Sequence, residues 1–134
     1  MSLPEQRSSY AAGRKGKTGW RRILNAAAYS RDGLIAAYRK EAAFRQLLWL
    51  HAVLLLLLAV AGFSLPVSMI LLAASFFSLV VELFNTGLEA LTDRVSTEKH
   101  PLSKIAKDVG SAAQMLALVL LALLWGLALW RTYV

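Results

Sequence analysis

Glu82, Asn85 and Glu89 are polar side chains in a region that is otherwise apolar, and their spacings of three and four residues put them on one helical stripe that Asp93 extends by a turn. An ionised side chain at membrane depth costs roughly 2.5–3.5 kcal/mol on insertion scales, so intramembrane acids are read as functional, against the alternative of a packed polar seam. Glu41 and the pair Lys107-Asp108 flank the stripe, each just ahead of another apolar run. Carboxylates converging with an amide and a lysine suit a hard divalent cation and phosphate, because oxygen ligands hold the ion and lysine neutralises phosphate charge.

The elements that must position these groups follow from hydropathy. Of the 134 residues 57% are hydrophobic and 17% charged, and the charge is nearly absent from long stretches of the second half, which points to a bilayer and to one domain. The fold expected is an all-α membrane protein with three transmembrane helices and an N-terminal amphipathic interfacial helix. Residues 1–19 are a polar, basic tail with no apolar core for a cleavable signal peptide. Residues 20–46 form the surface helix, with a break expected near Ser30–Gly33; Ile23 and Ala27 share one face, and Arg22, Arg31 and Arg39 supply the polar side. The spans are 47–63, 67–92 and 112–130, and together residues 20–134 make the membrane domain. If the second span begins near Val67, fifteen residues rise about 22 Å before Glu82, which puts Glu82 in the cytoplasmic-side half and Glu89 near the surface.

Charge sets orientation. Residues 1–46 carry ten of the fifteen Lys and Arg, the Asp93–Asp108 connector four more, and Gly62–Pro66 none. The N-terminus and the second connector are therefore expected in the cytoplasm and the C-terminus in the periplasm, across a bacterial inner membrane. The basic arm is read as facing anionic headgroups, not nucleic acid. No cysteine is present, which excludes disulfides and thiolate chemistry, and His51 and His100 lack the spacing of a histidine metal site. Residues 11–18, A-A-G-R-K-G-K-T, satisfy a relaxed phosphate-loop pattern, but neither a buried strand before it nor a packed helix after it is expected.

Glu41-Ala-Ala-Phe-Arg-Gln46, Val81-Glu-Leu-Phe-Asn-Thr-Gly-Leu-Glu-Ala90, Asp93-Arg94 and Lys107-Asp-Val-Gly-Ser-Ala-Ala113 resemble the motifs of prokaryotic diacylglycerol kinase, over about residues 20–134. The resemblance implies a homotrimer with active sites shared between neighbours, using Mg-ATP to phosphorylate diacylglycerol to phosphatidate. Carried over by motif, Glu82 is the general base on the lipid hydroxyl, with Asn85, Lys107 and Asp108 completing the catalytic set. Glu41 and Glu89 hold Mg²⁺. Arg22, Tyr29, Glu98, Lys99 and His100, with Lys107 and Asp108, face the nucleotide; Ser30, Arg45, Gln46 and Ser111, with Glu82, face the lipid. His100-Pro-Leu followed by Lys104-Ile-Ala-Lys107 resembles instead the sister family that phosphorylates undecaprenol, which stays open as an alternative acceptor. An alternative of another class is a small transporter using Glu82 and Glu89 as a proton or cation relay.

Overall fold

A computed structural model describes residues 19–95 and 97–134. The tail read at 1–19, apart from Gly19, and the phosphate-loop-like segment at 11–18 lie outside the described residues. The elements are α1 (Trp20–Lys40), α2 (Ala42–Val60), α3 (Leu65–Val95) and α4 (Pro101–Tyr133), with no strand among the described residues. The chain divides into two units, one ending at Ala36 and one spanning Ala37–Val134, and each is described by itself.

In the first unit the helix runs through Ser30–Gly33 without the expected break. Ser30 turns its hydroxyl back onto the carbonyl of Ala26 at 2.9 Å, a bond that lets serine sit within a helix. The break comes eleven residues after Ser30, at Glu41, whose backbone is extended (φ −108°, ψ 113°). Residues 42–46, read as the end of the surface helix, instead open α2. Arg45 explains why the helix can end there. Its Nη1 donates to the carbonyls of Tyr38 at 2.7 Å and Arg39 at 3.3 Å, two of the acceptors that a helix C-terminus leaves unmet.

Three helices, α2, α3 and α4, are long and apolar enough to cross a membrane. At 1.5 Å per residue, the 31 residues of α3 and the 33 of α4 reach about 46 and 50 Å, well beyond a hydrocarbon core of about 30 Å. Both helices therefore carry a polar extension at one end. Residues 101–108, read as part of a polar connector, are helical, because Pro101 supplies a preset first-turn φ and His100 Nδ1 accepts the Leu102 N–H at 3.1 Å. At the other membrane end α2 turns into α3 through Gly62, whose φ of +68° suits a residue without a Cβ. The Tyr133 hydroxyl donates to the carbonyl of Ala61 and ties the end of α4 to that turn.

The core lies at the same end as this turn. Leu71, Ala74, Leu121, Trp125 and Ala128 are buried together, and Leu54, Leu58, Phe63 and Val67 pack against them. Phe63 meets Trp125 edge-on at 5.8 Å. Contact between α2 and α3 is sparser than that between α3 and α4 and includes a buried polar link. His51 Nδ1 lies 2.8 Å from the Leu47 carbonyl, which can only accept, so Nδ1 carries hydrogen. In the neutral ring Nε2 then accepts the Ser78 hydroxyl at 2.8 Å, and that hydroxyl also lies 3.0 Å from the Ser75 carbonyl. His51, Ser75 and Ser78 are all buried.

The link is asymmetric, which gives a test. Removing His51 leaves the Ser78 hydroxyl its second acceptor, whereas removing Ser78 strands a buried imidazole nitrogen. Ser78→Ala should therefore cost about 1–2 kcal/mol and His51→Leu less, measured by reversible unfolding in mixed micelles. Equal losses would mean that the imidazole has another partner.

Candidate functional site

The polar ends of α3 and α4 meet where the side chains of Asn85 and Leu88 lie against Gly110. Gly110 is buried, and a Cβ there would fall on Asn85 Oδ1 and press on Leu88, so any side chain at this level must displace the end of Asn85. Because α3 and α4 run antiparallel, this crossing sets which residues share a depth. Glu82, 5% exposed, lies three residues deeper than Asn85, and Ser111 and Gln114 follow Gly110 on the opposite wall.

Glu82, Asn85, Glu89, Ser111 and Gln114 line one groove of about 600 Å³, with Ala43 at its side and Met115, Leu118, Val119 and Ala122 continuing it into the apolar part of α4. Glu82, Asn85 and Glu89, expected on one helical stripe, and Ser111, which the resemblance assigns to the lipid, all line it. Gln114 was missed. A glutamine inside an apolar run is itself a signal, but it lies on another helix from the acidic stripe, so spacing alone does not connect the two. Asn85 Oδ1 and Gln114 Oε1 are both buried without a hydrogen-bond partner.

Glu41 joins the group through the link between α2 and α3. Ten residues back from His51 on α2 and ten forward from Ser78 on α3 bring Glu41 level with Leu88 and Glu89. Glu89 and Glu41 are both near enough for their charges to act on Glu82. The Glu41 carboxylate takes no part in capping α2, which leaves it available to a ligand. Among the described residues no three carboxylate or imidazole groups form a metal centre by themselves. Two carboxylates fit a magnesium ion that keeps phosphate and water as its other ligands.

One turn beyond Glu89 a second, wetter cleft of about 740 Å³ opens between the end of α3 and the start of α4. Asp93, Glu98, Lys99, His100, Lys104, Lys107 and Asp108 lie along it, which groups the expected nucleotide-facing residues of this region. Lys107 pairs with Asp93, and Lys104 with Asp108 one turn along. Lys107 stands just before the charge-free stretch 109–130, paired with the Asp93 carboxylate. The imidazole of His100 caps α4 through Nδ1. Arg45 is engaged with the end of α1, and Gln46 is exposed on α2. Arg22, Tyr29 and Ser30 lie in the first unit and are described only there.

The family model described as prokaryotic diacylglycerol kinase matches residues 28–129. The chain belongs to that family. A diacylglycerol kinase of Pseudomonas aeruginosa is 50% identical over 111 residues, covering 83% of this chain and 90% of the relative. One of Escherichia coli strain K12 is 41% identical over 120 residues (87% and 95%), and one of Helicobacter pylori strain 26695 is 39% identical over 115 (86% and 90%). With three membrane-length helices and bacterial relatives, this member of the diacylglycerol kinase family is a bacterial membrane protein.

The crossing at Gly110 separates positioning from stability. In Gly110→Ala the new Cβ displaces the end of the Asn85 side chain, and the gain in helix propensity offsets part of the strain. Unfolding should shift by less than about 1 kcal/mol, while turnover falls at least about tenfold, since small misplacements of reacting groups are expensive. Full activity in the folded variant would remove Asn85 from the working site.

Proposed function

We propose that the protein transfers the γ-phosphoryl group of ATP to diacylglycerol, giving phosphatidic acid, at the cytoplasmic face of the bacterial inner membrane. One observation carries the reading. A groove at membrane depth, with a buried carboxylate and an apolar extension, adjoins a wet cleft holding three lysines. A lipid alcohol suits the first and a nucleotide phosphate the second. The names of the relatives support the acceptor and the reaction, and the basic residues at this end support the cytoplasmic orientation, with the C-terminus in the periplasm.

In this mechanism Glu82 accepts the proton of the lipid hydroxyl as its oxygen bonds to the γ-phosphorus. The bond from that phosphorus to the β–γ bridging oxygen breaks, and ADP leaves. Glu82 suits the base role because it is the deepest acid of the stripe, beside the apolar wall of the groove. Asn85 orients the acceptor from the next turn. Lys107 and Asp108 meet the phosphates, with Glu98, Lys99 and His100 along the same cleft. Glu41 and Glu89 would hold Mg²⁺, which supplies charge neutralisation on the transferring phosphoryl group. Arg22 and Tyr29 are assigned to the nucleotide, and Ser30, Arg45, Gln46 and Ser111 to the lipid face. A groove open along one side in a single chain supports assembly into a homotrimer with sites completed by a neighbour.

The test is purified protein in mixed micelles with Mg-ATP and dioleoylglycerol, undecaprenol or no lipid. Phosphatidic acid should form, and activity on undecaprenol alone would replace the acceptor. Glu82→Gln should lower single-turnover phosphorylation at least about 100-fold, with Mg-ATP affinity within a few-fold. Near-normal turnover would exclude the base role.

Metal binding separates the other two acids from Glu82. Glu41→Gln and Glu89→Gln should each raise the Mg²⁺ concentration needed for half-maximal rate, because an amide oxygen replaces a carboxylate poorly at a hard cation. An unchanged magnesium titration in both would free them from this role.

A further inference from the structure

Gln114 is an expensive residue for its position. It sits in the charge-free stretch 109–130, where water is scarce, with its Oε1 buried and unpartnered. A buried acceptor left unmet costs free energy, so such a group calls for a donor. Its depth shows where that donor would be. From the crossing of Gly110 against Asn85, Gln114 lies four residues along α4 and Glu82 three along α3 in the same direction. At 1.5 Å per residue these are about 6 and 4.5 Å, so the two face one groove at nearly one level.

The composition of the groove narrows the occupant. Its polar wall holds the carboxylates of Glu82 and Glu89 and the amide oxygens of Asn85 and Gln114, with no Lys, Arg or His among its lining residues. Its deep end, beside Glu82 and the Gln114 amide, carries no cationic side chain and suits a neutral hydrogen-bond donor. Met115, Leu118, Val119 and Ala122, spaced as one helical stripe, continue the groove deeper. A hydrated cation has no use for that stripe, whereas an alcohol with a hydrocarbon tail matches both parts.

We propose that Gln114 is a specificity-determining residue of the acceptor site: its Oε1 shares the hydroxyl hydrogen of the bound lipid alcohol with Glu82, while the tail follows Met115–Ala122. This deepens the lipid-kinase reading and rests on it. The shared bond holds the hydroxyl oxygen at the level of Glu82 before transfer, and the proton then passes to the carboxylate alone. Because this contact is made in the bound ground state, its loss weakens lipid binding more than it slows chemistry.

The experiment compares the wild-type chain with Gln114→Met, which keeps length and volume but removes the amide. Rates are measured against dioleoylglycerol mole fraction at saturating Mg-ATP, and against Mg-ATP at saturating lipid. The lipid KM should rise about three- to tenfold, the scale of one neutral hydrogen bond, with the Mg-ATP KM within about twofold. Gln114→Asn, which retains the amide but withdraws it by one methylene, should fall between, and it carries the test if the methionine variant does not fold. An unchanged lipid KM overturns the proposal. So does an equal rise in both KM values, or altered oligomer cross-linking with a normal lipid KM in the assembled fraction, which would make Gln114 a contact between copies. A wild-type protein that leaves dioleoylglycerol untouched would instead defeat the kinase reading beneath it.

Discussion

The approach of α3 to α4 at Gly110 fixes the depth of every group in the acidic groove. The missing Cβ of Gly110 lets the Asn85 and Leu88 side chains lie against α4 as they do. Once that crossing is set, antiparallel helices of constant rise leave no freedom in what faces what. Glu82 comes opposite the turn holding Gln114, and Leu71 comes beside Trp125 in the core at the far end. The same register sends the ends of both helices past the hydrocarbon together, and the polar cleft forms between those extensions. A shift of one turn along either helix would separate the buried carboxylate from its facing wall.

The bilayer explains why so little polar chemistry is spent elsewhere. Within the hydrocarbon an unmet polar group has no water to turn to, and helices satisfy their backbones internally. Side-chain polarity is therefore concentrated where it has a partner or a use. The His51 imidazole and the Ser78 hydroxyl pair with each other and with the Leu47 and Ser75 carbonyls, a link between α2 and α3 that brings Glu41 level with Glu89. Asn85 and Gln114 do not satisfy themselves, and both stand in the groove. Trp125 Nε1 is also buried without a partner but belongs to the core, so it is the shared groove with Glu82 that gives the two amides their interest.

The sequence reveals the spans and the acidic stripe because both are periodic signals within one helix. Hydropathy finds the three apolar runs, and spacings of three and four put Glu82, Asn85 and Glu89 on one face. What it hides depends on contacts between elements. The end of α1 at Lys40 rests on Arg45 reaching back to two carbonyls, and nothing in the local sequence announces that reach. The expected break at Ser30–Gly33 is absent because the Ser30 hydroxyl bonds within the helix. Residues 101–108 read as connector by charge, yet a proline at the first turn and a histidine cap make them helical. Gln114 joins the site only through the crossing of two helices, which no spacing along one chain encodes.

Electrostatics divides the site into two halves with opposite demands. The groove presents carboxylates and amides and no Lys, Arg or His among its lining residues, so its deep end beside Glu82 suits a neutral alcohol better than an anion. The cleft interleaves Lys99, Lys104 and Lys107 with Asp93, Glu98 and Asp108, and Lys107 pairs with Asp93. On the proposed reaction, the acceptor arrives neutral and leaves as a phosphate monoester carrying negative charge beside Glu82 and Glu89. When Glu82 gives up the proton it accepted, its carboxylate again favours a neutral hydroxyl over that anion, which a groove without an acid would not do.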